Sequence, residues 1–292
     1  MKNRERKKQK VESPSPLIKQ VAITGGKGGT GKSTFSIMLA SKILDEGGAV
    51  VLCDADVECP NDHLILGCKL EDEKPVYLDY PAIDEAKCSR CGLCVKNCRF
   101  NALYQIKGGV PQLVSELCTS CGLCWGLCPE GAIGLKTERC GASYVTKVKE
   151  NLWLVTGKSK PMLESSMAVI KGAKSRAMEL AAKVGADQVL VDTAAGTHCN
   201  VINTLLGSEM AYVVTEPTPL GGHDSRLIIQ LLGRLGIRPE LVLNKAGVGK
   251  DSIINDLARD LGIKITYRIP YSEEIVKHYS NGSVRDLGMR LE

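Results

Sequence analysis

Aromatic residues make up only 4% of the 292 residues, against an apolar fraction of 43%, so aliphatic side chains must build any core. That supply suits the Val, Ile and Leu strands of a sheet buried on both faces. No run of about 18 apolar residues occurs, which argues against a membrane-spanning helix. No hydrophobic region follows the N-terminal charges, so a secretory leader is not expected and a cytoplasmic location is. A basic body is also missing. The formal net charge is +5, and the first ten residues, with six basic side chains against Glu5, carry all of it. A specific nucleic-acid surface is therefore not expected. The charged stretch, ending in Ser13-Pro14-Ser15-Pro16, reads as a solvated, disordered tail over 1–19.

Cysteine, by contrast, is abundant, at 13 residues. In a reducing compartment that number points to metal ligation rather than disulfides. Eight of the thirteen fall in two runs, Cys88-x2-Cys91-x2-Cys94-x3-Cys98 and Cys118-x2-Cys121-x2-Cys124-x3-Cys128-Pro129. Each run has the ligand spacing of a bacterial two-cluster ferredoxin, in which the fourth cysteine of a run serves the other cluster. Cys88, Cys91, Cys94 and Cys128 are thus expected on one [4Fe–4S] cluster, and Cys118, Cys121, Cys124 and Cys98 on a second. The runs also form an internal repeat: Cys-Gly-Leu-Cys recurs at 91–94 and 121–124, and Ala102 and Ala132 each lie four residues past the last cysteine. Structural zinc takes four ligands and leaves two such runs unexplained. Arg99 stands where the first run would carry proline, which either places a cation near one cluster or loosens the turn.

Outside this stretch the pattern is a βα alternation. Strands are predicted at 21–23, 50–53, 152–155, 189–191, 211–215, 241–243 and 265–269, with helices over 33–46 and 161–184 and helical segments between the later strands. Seven strands alternating with helices predict a doubly wound α/β domain with a mostly parallel sheet. The composition changes abruptly near 82, so the reading is a discontinuous α/β domain, 20–81 and 138–292, interrupted by an inserted α+β ferredoxin domain at 82–137.

Gly26-Lys27-Gly28-Gly29-Thr30-Gly31-Lys32-Ser33 fits G-x-x-x-x-G-K-[ST] and sits between a predicted strand and helix. Such a loop turns backbone N–H groups toward phosphates, with Lys32 reaching the β/γ-phosphates and Ser33 ligating Mg²⁺. Lys27 is not required by a generic phosphate loop. Together with Gly25 and Thr34, the run resembles the deviant Walker A motif of the MinD/ParA/Mrp and nitrogenase iron protein class. The resemblance implies a homodimer with ATP sandwiched at its interface, in which Lys27 reaches across to the partner's phosphates. It also implies switch I aspartates at Asp54 and Asp56, with Asp56 orienting the attacking water. Asp192, followed by Thr193-Ala194-Ala195-Gly196, takes the place of the Walker B and switch II aspartate in the Mg²⁺ shell; relatives often carry prolines before that glycine. Asn244 falls where relatives recognise adenine. The segments Thr215-Glu216-Pro217-Thr218-Pro219 and Ile269-Pro270-Tyr271 are similar to that group as well.

The resulting expectation is a Mg·ATP-hydrolysing iron–sulfur protein that couples its ATPase cycle to electron transfer through two clusters, toward an unknown redox partner. The alternative is an ATPase that assembles or carries a cluster and delivers it to a target protein. Cys53, Cys59, Cys68, Cys140 and Cys199 read as small buried hydrophobes. Cys199 and Cys59 are the places to look for a transferable cluster, Cys199 because it lies seven residues after Asp192, as a bridging-cluster cysteine does in the nitrogenase iron protein. His223, beside Gly221, Gly222 and Asp224, reads as a loop or N-cap residue. Leu287, Met289 and Leu291 alternate without forming the helical stripe of a membrane-targeting terminus.

Overall fold

A computed structural model describes residues 18–163 and 166–284. The tail up to residue 17 and the alternation of Leu287, Met289 and Leu291 lie outside the described residues, whereas Lys19, assigned above to the tail, opens the first strand.

β1 (Lys19–Thr24), α1 (Lys32–Asp45) and β2 (Val50–Asp54) make the expected βαβ opening. A short α2 (Asp62–Ile65) and β3 (Lys74–Ile83) lead into the cysteine-rich segment, which contains α3 (Leu93–Lys96), β4 (Leu103–Tyr104), β5 (Gln112–Leu113) and α4 (Leu123–Leu127). β6 (Ile133–Lys149) and β7 (Leu152–Ser159) return the chain to the main body. The α/β rhythm then runs through α5 (Met167–Val184), β8 (Gln188–Asp192), α6 (Cys199–Leu205), β9 (Met210–Thr215), α7 (Pro219–Leu235), β10 (Arg238–Ala246), α8 (Ser252–Leu261), β11 (Ile265–Pro270) and α9 (Glu273–Ser280). Among the described residues no helix is long and apolar enough to cross a membrane.

The main sheet has the order β11-β10-β9-β1-β8-β2-β7-β6-β3. The seven predicted strands, β11 through β7 in that order, are all parallel. Two strands of this sheet were not foreseen. β6 runs antiparallel to β7, and β3 antiparallel to β6 at the sheet edge. β3 contains Pro75 and Pro81, mostly with exposed neighbours, and β6 contains Gly134 and Gly141, which hides both from a propensity reading. Proline lacks the N–H of an inner ladder and is tolerated at an edge. The helix predicted over 161–184 also starts later, at Met167, after a turn at 161–162.

Side-chain alternation explains the layers. In β1, Val21 and Ile23 pack with Phe35 and Leu39 of α1, whereas Ala22 joins Ile228 and Leu232 of α7 on the opposite face. Val189 and Val191 of β8 meet Ala173, Ala177 and Ala181, a stripe at every fourth residue of α5. Small side chains at that spacing let the helix lie close to the sheet. Because β2 and β9 lie on opposite sides of β1, the sheet reverses its winding there, and ligands of open α/β sheets bind at the carboxyl ends of strands beside such a reversal.

Candidate functional site

β1 delivers the chain into the glycine-rich loop at this reversal, and α1 begins directly at Lys32. The glycines are needed for space. A Cβ on Gly26 would stand 2.1 Å from Cβ of Asp224, and one on Gly31, whose φ is 92°, would stand 2.2 Å from Nδ2 of Asn244. Lys32 is buried, and its Nζ donates to the Lys27 carbonyl at 3.2 Å. Burial lowers its pKa against the pull of Asp192 and Asp56. In front of the loop lies a cavity of about 410 Å³, lined near the loop by Gly28, Lys32, Thr34, Asp56 and Asn244 and farther out by Phe35, Met38, Ile269, Tyr271, Ile275 and Tyr279. It thus has a polar, helix-terminal end suited to phosphates and an apolar end suited to a flat ring.

The carboxylates come from adjacent strands. Asp54 ends β2 in register with Asp192 of β8 and with Thr156 of β7. Asp192 accepts from Ser33 Oγ at 2.5 Å through Oδ2, while its buried Oδ1 has no partner. Burial pushes its pKa up to about 6, against the opposing effects of Ser33 and Lys32. Asp54 is fully buried and accepts backbone N–H groups of Asp56, Asn61 and Asp62 at 3.2, 2.9 and 3.1 Å. It therefore shapes the loop, and Asp56 is the one of the two that lines the cavity. Burial raises the pKa of both, with Asp192 adding to the effect on Asp54 and the Cys59 N–H opposing it on Asp56. The Thr-Ala-Ala-Gly segment after Asp192 docks back on β1 and the loop, through Thr193 N–H to Ile23 O at 3.0 Å and Gly196 N–H to Gly25 O at 3.1 Å.

Lys27 points at Glu216, with Nζ 3.2 Å from Oε2, and Lys245 Nζ meets the other oxygen at 2.5 Å. Burial would raise the Glu216 pKa, but the two lysines hold it below the usual carboxylate value. Asn244 donates to the Thr30 carbonyl at 2.8 Å, which ties the end of β10 to the loop.

The two cysteine runs follow one backbone course. Residues thirty apart share left-handed conformations: Arg90 and Ser120 at φ 60° and 56°, Gly92 and Gly122 at 72° and 83°, and Asn101 and Gly131 at 52° and 56°. Arg99 does not alter the turn, since Asn101 N–H to Cys98 O and Gly131 N–H to Cys128 O are both 3.2 Å. Two small cavities result. Cys98, Cys118, Cys121 and Cys124 line one, Cys88, Cys91 and Cys128 line the other, and Cys94 borders both. Among the described residues, no three His, Cys, Asp or Glu side chains are gathered tightly enough for a single metal ion.

The sequence model for the CobQ/CobB/MinD/ParA nucleotide-binding domain matches residues 21–284. The chain belongs to that family. An uncharacterized protein of Methanocaldococcus jannaschii is 34% identical over 263 residues, 90% of this chain and 89% of its own length. The septum site-determining protein MinD of Pyrococcus horikoshii, solved with Mg-ADP, is similar in structure with a TM-score of 0.54 at 18% identity, covering 91% of this chain and 86% of its own. MinD in the MinC:MinD complex of Aquifex aeolicus gives 0.56 at 19%, covering 92% and 88%. The two structural likenesses speak for the fold.

Within this MinD/ParA-type site some positions depart from the sequence reading. Cys53 and Cys140 are buried and Cys68 packs against the core, as expected, but Cys59 and Cys199 are exposed. His223 lies inside α7, whose N-cap is Thr218, accepting from Gly221 N–H at 3.0 Å; it is neither a loop nor an N-cap residue. Sequence reasoning passed over Asp62, Glu216 and Lys245 as site residues. Glu216 was legible only as part of a family-like segment, and Lys245 only as the neighbour of Asn244.

Proposed function

We propose that this chain is a Mg·ATP-dependent ATPase, working as a nucleotide-sandwich dimer, that couples its cycle to one-electron transfer through two [4Fe–4S] clusters held by an inserted ferredoxin domain at 82–137. The observation that carries the reading is the division of the eight cysteines between two cavities, with Cys98 and Cys128 crossing to the other run's cavity. That crossing is the pattern of two-cluster ferredoxins. A cuboidal cluster also spaces its thiolates more widely than a single zinc ion, whose Zn–S bonds of about 2.3 Å draw them together. Burial pushes the Cys124 thiol up to about 11, so its thiolate needs a cationic partner, as cluster iron provides.

In this reading Lys32 and the loop N–H groups bind the β/γ-phosphates. Ser33 and Asp192 hold Mg²⁺, for which the unpartnered Asp192 Oδ1 leaves an acceptor. Asp56 orients the water that attacks the γ-phosphorus as the bond to ADP breaks, yielding ADP, phosphate and a proton. Lys27 leaves Glu216 for the partner's phosphates, and Asn244 borders the base. Held by the eight cysteines of the two cavities, the clusters would supply one-electron chemistry between a low-potential donor and an acceptor protein. The stalk made by β3 and β6 supports a link between the two chemistries. Val57, next to Asp56, packs with Cys140 of β6, and its carbonyl accepts from Ser159 N–H at 2.8 Å.

The test is EPR of the anaerobically purified, dithionite-reduced protein with and without Mg·ATP, alongside its iron content. Two coupled signals that nucleotide shifts support coupling; signals indifferent to nucleotide sink it. Lys32→Ala should abolish nucleotide binding, whereas Lys27→Ala should bind and lose about 10³-fold in turnover, the low end for an arginine-finger-like group. Unchanged turnover in the Lys27 variant rules out the sandwich. One observation favours cluster delivery as a second reading. Glu58 accepts from Asn200 at 2.7 Å, which brings the loop carrying exposed Cys59 to the start of α6, where exposed Cys199 lies.

A further inference from the structure

The Asp62 side chain has no part in any role described so far, yet both of its oxygens are buried without a partner in the carboxylate pole. It is 0% exposed, and its backbone N–H is tied to Asp54 Oδ2 at 3.1 Å. Neither of its carboxylate oxygens has a hydrogen-bond partner. The carboxyl lies against that of Asp192, with Asp54 and Asp56 close by. Asp192 Oδ1 and Thr156 Oγ1 are also buried there without partners. Three buried carboxylates, those of Asp54, Asp62 and Asp192, therefore converge behind the phosphate loop, with Asp56 on its cavity side. The lysine that balances them, Lys32, acts on Asp192 and Asp56.

Buried charges are paired or hold metal ions. Ser33 and Lys32 compensate one edge of this group and leave the Asp62 side open. A divalent cation at the Ser33–Asp192 edge would supply the missing positive charge, and carboxylates that stand behind a metal's direct ligands fix their orientation and raise affinity. We propose that Asp62 is a positioning residue of the cation site: acting through Asp192, it sets how tightly Mg²⁺ is held with the nucleotide. This rests on the reading that Mg·nucleotide occupies the cavity in front of the loop. Asp62 keeps a buried, unpartnered carboxyl at the expense of nucleotide-free stability, a trade that functional sites make.

The experiment measures ADP affinity of the iron-loaded protein in Mg²⁺ and in EDTA, for the wild type and for Asp62→Asn, which preserves the volume and replaces the carboxyl with an amide that cannot ionise. The expected result is an unchanged affinity in EDTA and a loss of about 10- to 100-fold in the gain that Mg²⁺ confers. The nucleotide-free variant should also melt no lower than the wild type. Asp62→Ser, uncharged and smaller, makes the same prediction if asparagine is not accommodated. A folded variant that retains the full Mg²⁺-dependent gain overturns the proposal, since a purely structural role would leave that ratio alone. If the wild type binds ADP with no gain from Mg²⁺, the nucleotide reading itself falls and takes this one with it. ADP binding that improves with Mg²⁺ in the wild type and not in the variant supports both.

Discussion

In the central sheet, Leu52, Leu154 and Leu190 are fully buried, Phe35 of α1 packed on the sheet is 1% exposed, and β2 is buried along its whole length. Across 84–132 the buried hydrophobic side chains are Ala102, Leu103 and Ala132, while Leu93, Phe100, Tyr104, Ile106, Leu123 and Leu127 are each at least 40% exposed. Burying a large apolar side chain is worth about 1.5–3 kcal/mol, whereas ordering each residue's backbone costs about 1–2 kcal/mol. Three buried side chains cannot hold roughly fifty residues in place, a size at which metals or cross-links usually supply what the core lacks. The sheet is held by packing; the segment at its edge has too small a core for that, and on the proposed reading the clusters supply what is missing.

If the proposed clusters hold the segment, removing iron is the sharpest way to break this comparison. Cys124→Ala, or chelation of the wild type, should unfold the segment locally. Structural metal sites contribute on the order of 10 kcal/mol to the folding of small domains, so amide protection over 84–132 should vanish while protection over β1, β2 and β8 stays. Cys88→Ala should cost one cluster and leave a second visible. A segment that keeps its protection without iron would show that the contrast was misread. The converse change, Leu52→Ala, opens a void in the sheet and should cost about 2–5 kcal/mol. Thermal melting should show that loss, with the iron content of the still-folded protein at 25 °C unchanged.

The parts legible in the sequence are those in which local chemistry and tertiary position agree. The loop from Gly26 to Thr34 carries its geometry in its own residue types, and the cysteine spacing carries the thirty-residue repeat that the backbone follows. The seven parallel strands were visible as aliphatic runs because both of their faces are buried. β3 and β6 were not, since an exposed edge hairpin leaves no such run and proline and glycine argue locally against it. Glu216 shows a different limit. Its meaning depends on Lys27 and Lys245, which approach it from the phosphate loop and the end of β10. No spacing rule connects positions that far apart. Asp62 looks like an ordinary residue opening a short helix until Asp54 and Asp192 are placed beside it.

The smallest expected effect gives the two regions opposite signs. Burial pushes the Asp192 pKa up to about 6 in the folded, nucleotide-free chain, against an ordinary 3.8. Between those values the native state holds a proton that the unfolded state has released, so stability from this group is full below about 4 and is lost as pH rises toward 6. Mg·nucleotide needs the ionised carboxylate, and its affinity should therefore fall on acidification below 6, by at most about tenfold per pH unit for one linked proton. The cysteine segment should respond the other way in stability, because its ligands must stay deprotonated and acid weakens metal binding. Melting curves and iron content followed from pH 8 to 5 check both arms: the nucleotide-free sheet should melt higher as iron is lost. Asp192→Asn should lessen the first trend, with the buried Asp54 and Asp56 keeping part of it, and leave the second in place. If acid lowered both together, the carboxylate pole would not be the strained element of the sheet that its unpartnered oxygens indicate.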